Sequence, residues 1–136
     1  QSTYQMTTFE SKININKPAN EVYQFLADMN NHQQLMPENI VNWTSATDEA
    51  RFDIQNMGKL ALKVDSRVEN AEINIIPSEK PPFDLQLNWK LADAGTHTEV
   101  LFTISAELNM MMKMLASGSL QKLADHETQK LTEVLM

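Results

Sequence analysis

A hydrophobic pattern with a period of two, running through residues 41–108, is the feature that most constrains how this chain can fold. Its clearest stretches are residues 83–91 and 100–108, where apolar side chains occupy every second position and mostly polar ones lie between them. Such alternation predicts strands with one buried and one solvated face. Turn signals such as Asp93-Ala94-Gly95 separate the strands at short intervals, which is typical of neighbouring antiparallel strands. The middle of the chain is therefore predicted to be a six-stranded antiparallel meander.

The flanking segments predict one more strand and the helices. Residues 9–15 alternate in the same way and predict a first strand. Pro18 suits the first turn of a helix, and the spacing of apolar residues 22–29 predicts a short helix, followed by a second short one around Leu35. An antiparallel sheet with one apolar face needs a cover, and the C-terminal helical segment is predicted to supply it.

A cluster of methionines marks the start of that C-terminal segment. Four of the nine methionines fall within residues 110–114. Methionine adapts to irregular space, so the cluster indicates an apolar cavity more than a tightly packed core. On a helix, Met111, Met114 and Leu115 lie opposite the later apolar residues, and one straight helix could not bury both sets. We therefore predict a short Met-rich turn, a break at Ser117-Gly118-Ser119, and then a long helix.

Three stretches of the chain have counterparts in a known superfamily. They are residues 9–28, which hold the opening strand and helix, residues 95–100, which begin the last strand, and residues 109–115, which lead into the C-terminal helix. With the element order, they resemble the START/Bet v 1 superfamily, also called SRPBCC or polyketide cyclase/dehydrase and lipid-transport-like proteins, and in particular a small bacterial branch of it. One departure is that a tryptophan often found after the first helix in relatives is absent here, where His32 and Leu35 stand instead.

The resemblance implies a fold and a mode of action. It covers nearly the whole chain and implies one α+β domain over residues 1–136 with the helix-grip fold. In that fold a curved antiparallel sheet of about seven strands wraps around a long C-terminal helix, and two short helices follow the first strand. The resemblance also implies a cavity for a hydrophobic ligand between the sheet and the C-terminal helix.

The alternation predicts which side chains face this cavity. Most of them occupy the alternating positions of the strands that are predicted to be apolar. The others come from the methionine cluster and the leucine that follows it. The predicted ligand-binding residues are Phe9, Ser11, Ile13, Trp43, Phe52, Ile54, Leu62, Val64, Leu85, Leu87, Trp89, Phe102, Ile104, Met111, Met114 and Leu115. Asn56 and Ser66 are in the same phase as the apolar sets and are further candidates for polar groups in the wall. Each of these residues also has a simpler interpretation as ordinary core, because an apolar strand face is buried with or without a cavity.

The polar residues predict no catalytic or metal site. His32, His97 and His126 are placed in a helix connector, a turn and a solvated helix face, and Glu127 and Glu133 in solvated or rim positions of the last helix. A general base must lie in a cleft and have a shifted pKa. No acidic residue or histidine is predicted on an apolar face, where burial could shift its pKa, so no catalytic residue is assigned. The histidines have no ligand-like spacing, and no glycine-rich phosphate loop occurs, so neither a metal nor a cofactor is expected.

Charge and composition exclude several classes of partner. The net charge is −7 and no basic run occurs, which argues against a nucleic acid and an anionic membrane surface as partners. No stretch approaches the roughly 20 apolar residues of a membrane span, and no signal segment is recognised. The absence of cysteine excludes disulfides. A cytoplasmic protein with no membrane insertion is expected, and export by a leader that has already been removed is the alternative.

Three functions remain open from the sequence. The leading one is a monomeric or homodimeric carrier or sensor of a hydrophobic small molecule such as a lipid, an isoprenoid or a polyketide-like compound. The second is a cyclase or dehydratase-type enzyme that uses the same cavity. The third is a protein-interaction module in which the cavity is vestigial.

Overall fold

The computed structural model describes residues 4–136, which form seven strands and three helices in the predicted order. The strands are β1 (Gln5–Ile15), β2 (Ile40–Ala46), β3 (Glu49–Ile54), β4 (Gly58–Val68), β5 (Glu72–Pro77), β6 (Leu85–Asp93) and β7 (Thr98–Leu108). The helices are α1 (Ala19–Leu26), a short 3-10 helix (Met29–Leu35) and α2 (Met110–Val134). The predicted α+β architecture, with two short helices after the first strand and a long C-terminal helix, is confirmed.

All seven strands belong to one curved antiparallel sheet. Their order is β1-β7-β6-β5-β4-β3-β2, so β2 to β7 form the predicted meander and β1 pairs with the last strand. Phe9 of β1 lies opposite Ile104 of β7 in this register. The pairing register shifts between Val41 and Thr44 and again between Val64 and Ser66. Such irregularities bend a strand and increase its twist, which helps the sheet to curve around the helix.

The inward face of the sheet carries the core. Along β7 every second residue from Thr98 to Leu108 is buried, which is the pattern expected when one face packs and the other meets solvent. Trp89 of β6 stacks on Phe102 of β7 with ring centroids 4.0 Å apart, and both side chains are fully buried. Val22 and Leu26 of α1 are fully buried in the same apolar cluster, so α1 closes the core at this part of the sheet.

One arginine side chain connects α1 to the β2–β3 turn through hydrogen bonds. Arg67 of β4 donates hydrogen bonds to the carbonyl oxygens of Ala27 (2.7 Å from Nη2) and Thr47 (3.2 Å), and to the carboxylate of Asp48 (2.7 Å). The planar guanidinium can serve three acceptors at once, which an ammonium group does less well. It satisfies a carbonyl at the end of α1 that has no partner within the helix.

The predicted break in the C-terminal helix is wrong. The helix α2 runs without interruption through Ser117-Gly118-Ser119, and the Asn109 side chain caps its first turn by accepting the N–H of Met112 at 2.8 Å. The reasoning failed because the methionine face does not need burial: Met111 and Met114 are 70% and 81% exposed.

One stripe of α2 faces the sheet instead. It consists of side chains spaced three or four residues apart, all buried or half-buried: Met112, Ala116, Leu120, Ala124, Glu127 and Leu131. Residues at this spacing lie on the same face of a continuous α-helix. The prediction included the later apolar residues of this stripe but left out Met112, Ala116 and Glu127.

Candidate functional site

A cavity of about 390 Å³ lies between the sheet and the second half of α2. The sheet contributes ten apolar side chains to its wall, from strands β2 to β7. These are Ile40, Trp43, Phe52, Ile54, Leu60, Leu62, Ile75, Leu85, Leu87 and Ile104. A volume of this size and an apolar wall are typical of sites for small organic ligands.

The remaining wall comes from the helices and loops around the sheet. Met29 and His32 enter from the 3-10 helix, and Leu120 and Leu123 from α2, while loop residues such as Phe83 complete the apolar surface. Asn39, Ser119 and Lys122 also line the cavity but are exposed, so they mark the side on which it reaches solvent.

The structure brings seven of the predicted site residues into this wall. They are Trp43, Phe52, Ile54, Leu62, Leu85, Leu87 and Ile104. Phe9, Trp89 and Phe102 lie on the same face of the sheet but are buried in the core outside the cavity, and Ile13 and Val64 are half-buried against that core.

Ser11 has a structural contact instead of a place in the wall. Its hydroxyl group is hydrogen-bonded to that of Thr128 at 2.7 Å, which joins β1 to α2. Asn56 and Ser66 are exposed and lie outside the wall. Asn56 occupies the β3–β4 turn with φ +68°, a backbone conformation that asparagine tolerates better than most residues.

The three predicted residues of the methionine cluster lie at the surface. Met111, Met114 and Leu115 are 70%, 81% and 77% exposed and do not line the cavity. The expectation that they close it is corrected, because α2 presents its other face, from Met112 to Leu131, to the sheet. Only residues from Ser119 onward reach the cavity from this helix.

Glu127 is a carboxyl group in the cavity wall that the sequence interpretation placed in solvent. The side chain is 3% exposed and lines the cavity. Burial disfavours the charged form and raises its pKa from 4.5 to about 8. The carboxyl group is therefore mostly neutral at pH 7, and it can both donate and accept a hydrogen bond. A signal for this was present in the sequence, since Glu127 continues the helical spacing of Ala124 and Leu131.

His32 is a second buried titratable group in the wall. It is 2% exposed, and its Nε2–H donates to the carbonyl oxygen of Leu26 at 2.8 Å. Burial lowers its pKa, against smaller opposing effects of the Leu26 hydrogen bond and of the Asp28 charge. The imidazole is thus neutral, with the proton on Nε2. Its Nδ1 atom can accept a hydrogen bond. The imidazole and the Trp89 ring are nearly perpendicular, with centroids 6.2 Å apart.

Two further nitrogen atoms in the wall are buried without a hydrogen-bond partner among the described residues. They are Nε1 of Trp43 and Nε2 of His126. Trp43 stacks on Phe52 with centroids 5.1 Å apart and an angle of 10° between the rings, so its indole is held in one orientation. Both nitrogens are fully buried, so it is other atoms of Trp43 and His126 that face the cavity.

The part of the chain that the structure describes contains no group of three His, Cys, Asp or Glu side chains placed to hold a metal ion. None of its helices is long and apolar enough to cross a membrane. The chemistry that the wall offers is hydrogen bonding in an apolar enclosure, with one neutral carboxyl group and two imidazoles.

Comparisons with known proteins show likeness in structure. No protein-family model and no curated protein matches the sequence. A START superfamily protein from Mycobacterium smegmatis matches with a TM-score of 0.70 and 16% identity, over 94% of this chain and 96% of that one. The Aha1 dimer from Colwellia psychrerythraea gives 0.70 and 16%, over 95% and 96%. A norcoclaurine synthase from Thalictrum, solved with a transition-state analogue, gives 0.71 and 7%, over 98% of both chains.

Proposed function

Because the chain has the helix-grip fold of the START/Bet v 1 superfamily, as its sequence predicted, we propose that it binds a hydrophobic small molecule between the sheet and α2. The ligand belongs to the lipid, isoprenoid or polyketide-like compounds, and the protein acts as a carrier or sensor in the cytoplasm, as a monomer or homodimer. The observation that carries the proposal is the cavity of about 390 Å³ with its apolar wall. Transfer of apolar ligand surface from water to such a wall supplies the driving force for binding.

The structural neighbours support this proposal. The Mycobacterium smegmatis protein is a START superfamily member, and the norcoclaurine synthase structure holds a small molecule. Fold alone does not fix function, so the argument rests on the wall of this cavity.

A cyclase or dehydratase-type enzyme is the second candidate, and Glu127 favours it. A carboxyl group with a pKa of about 8 can donate a proton to a bound substrate at neutral pH. In that case Glu127→Gln should retain ligand affinity and lose turnover, whereas a pure carrier shows no turnover to lose.

The test of the binding proposal compares two tryptophan substitutions on α2. Leu120→Trp adds a large side chain to the cavity wall, and Met114→Trp adds the same side chain to the exposed face of the same helix. The protein is titrated with the neutral apolar dye Nile red, and native mass spectrometry of the purified protein reports any ligand already bound.

We expect Leu120→Trp to weaken Nile red binding at least tenfold and Met114→Trp to leave it unchanged. Urea unfolding of both variants checks that the fold is retained, because overpacking can itself destabilise a core. Absence of dye binding to the wild-type protein, or equal affinity in both variants, would contradict the proposal.

A further inference from the structure

Three methionines on the first turns of α2 have no part in the core or in the cavity. Met110, Met111 and Met114 are 78%, 70% and 81% exposed, and none of them lines the cavity. Met112, the fourth methionine of the cluster, packs against the core instead. At these exposures the three side chains gain little free energy from burial, so their thioether groups remain available to a partner from solution.

Helix geometry places the three side chains next to one another. Side chains three or four residues apart on an α-helix are neighbours, with Cβ atoms about 5–6 Å apart. Met114 follows Met110 by four residues and Met111 by three, so it is the neighbour of both. At about 100° per residue, all three fall within an arc of about 100° of the helix surface. Methionine has three rotatable bonds, so the three sulfur atoms can turn toward one point.

The helix that carries these side chains is fixed at its start. The side-chain oxygen of Asn109 accepts the N–H of Met112 at 2.8 Å, and the N–H of Lys113 donates to the Asn109 carbonyl oxygen at 2.9 Å. Both bonds hold the first turn in helical form, so the three methionines are on one face before any partner arrives. Such pre-organisation lowers the entropy cost of binding.

The chemistry of the thioether group selects the partner. Thioether sulfur is an uncharged, soft ligand that favours Cu(I), whereas Ca²⁺ and Mg²⁺ take oxygen ligands. Lys113 and the positive end of the α2 dipole lie at the same turn and oppose a cation that is held by charge alone. An ion with a single positive charge, bound through sulfur, is therefore favoured at this place over a divalent hard ion.

We propose that Met110, Met111 and Met114 form a surface site for a soft monovalent metal ion, Cu(I), which their three sulfur atoms bind. The expectation of no metal site rested on histidine spacing and did not consider thioether ligands. Because α2 contributes only residues from Ser119 onward to the cavity, this site is separate from the cavity. The inference goes beyond the proposed function and does not depend on it.

The first test is a titration with Cu(I), under nitrogen with ascorbate, in competition with the chromogenic chelator bicinchoninate. Met114→Leu removes the sulfur that neighbours the other two and keeps a similar apolar volume and helix preference. Met136→Leu makes the same change at a methionine that is 90% exposed beyond the other end of α2. Because leucine keeps the apolar surface, a loss of binding identifies sulfur as the ligand and not a hydrophobic contact.

We expect the wild-type protein to bind one Cu(I) ion per chain. Met114→Leu should weaken the affinity at least about tenfold, because even a lost contact to a metal ligand commonly costs that much. Met136→Leu should leave the affinity unchanged. Urea unfolding should show the same stability for both variants within about 0.5 kcal/mol, as is usual for substitutions at the surface.

The second test locates the ion by NMR spectroscopy of protein labelled with ¹³C in the methionine methyl groups. Ag(I) serves as a redox-inert substitute for Cu(I), and single Met→Leu variants assign the signals. We expect the methyl signals of Met110, Met111 and Met114 to shift together up to one equivalent of Ag(I), while the signal of Met136 stays in place.

Three results would overturn the inference. Equal Cu(I) affinity in Met114→Leu and the wild-type protein would remove the cluster as the site, and an equal shift of Met136 would show that any exposed thioether group responds. A loss in His97→Gln as large as that in Met114→Leu would place the ion on an imidazole. Absence of Cu(I) binding would also refute this site, while Nile red binding to the cavity would be unaffected.

Discussion

Glu127 should make the stability of this protein depend on pH in an unusual direction. The folded protein holds a proton on this carboxyl group up to a pKa of about 8, whereas the ordinary value, expected of the unfolded chain, is 4.5. Between these two values the unfolded chain has released a proton that the folded protein still holds. Raising the pH therefore favours the unfolded state, and the free energy of unfolding falls as the pH rises.

The magnitude follows from the interval between the two pKa values. One pH unit corresponds to about 1.4 kcal/mol for one proton, so the interval between 4.5 and about 8 amounts to about 5 kcal/mol. About 4 kcal/mol of this falls between pH 4.5 and pH 8, because the titration extends beyond both ends. Small domains have total stabilities of about 5–15 kcal/mol, so the effect is large enough to measure directly.

The assay is urea unfolding of the wild-type protein and Glu127→Gln at several pH values between 4.5 and 8. Glutamine keeps the shape and cannot ionise, so the variant should gain about 4 kcal/mol over the wild-type protein across this range. Other titrating groups, including His32, are present in both proteins and cancel in the difference. Glu133→Gln, at a mostly exposed position of the same helix, is the control and should show no such trend. A difference that stays constant with pH would refute the buried neutral carboxyl group.

Two further predictions concern contacts that hold the elements together. Arg67→Lys should destabilise the protein by about 1–3 kcal/mol in urea unfolding, because one ammonium group cannot replace the bonds to Ala27, Thr47 and Asp48; an unchanged midpoint would contradict this. Ser11→Ala should cost only about 0.5–1 kcal/mol in the same assay, since Thr128 keeps its hydrogen bond to the Asp125 carbonyl oxygen. A loss of more than about 2 kcal/mol in the free energy of unfolding would show that the Ser11–Thr128 hydrogen bond stabilises the protein more than its geometry implies.

The strands and their order could be predicted from the sequence because alternation is a local signal. Each strand of the meander shows it over its own residues, and short turns fix the neighbours. The pairing of β1 with β7 has no local signal, and it was not predicted. The course of α2 was predicted wrongly because the face with Met111 and Met114 was assumed to need burial, whereas it is exposed.

The cavity was harder to predict than the sheet. Alternation tells which face of the sheet a side chain occupies, and it correctly put Leu62 and Phe102 on the same face. It does not tell whether the space above that side chain is filled: Phe102 is covered by the core, whereas Leu62 borders the cavity. Glu127 escaped notice because it was assigned to solvent as a charged residue, although its spacing from Ala124 and Leu131 puts it on the buried stripe of α2.

The pairing of β1 with β7 also has a consequence for biosynthesis. On the ribosome β1 is made first, and the strand that it pairs with is the last of the sheet to appear. The partner of Ser11 on α2 is later still, 117 residues further along the chain. Contacts so distant in sequence slow folding, because a long loop must close before they form. Throughout that delay β1 has unpaired backbone groups, and the charged outward side chains of Glu10 and Lys12 help to keep such a strand from pairing with another nascent chain.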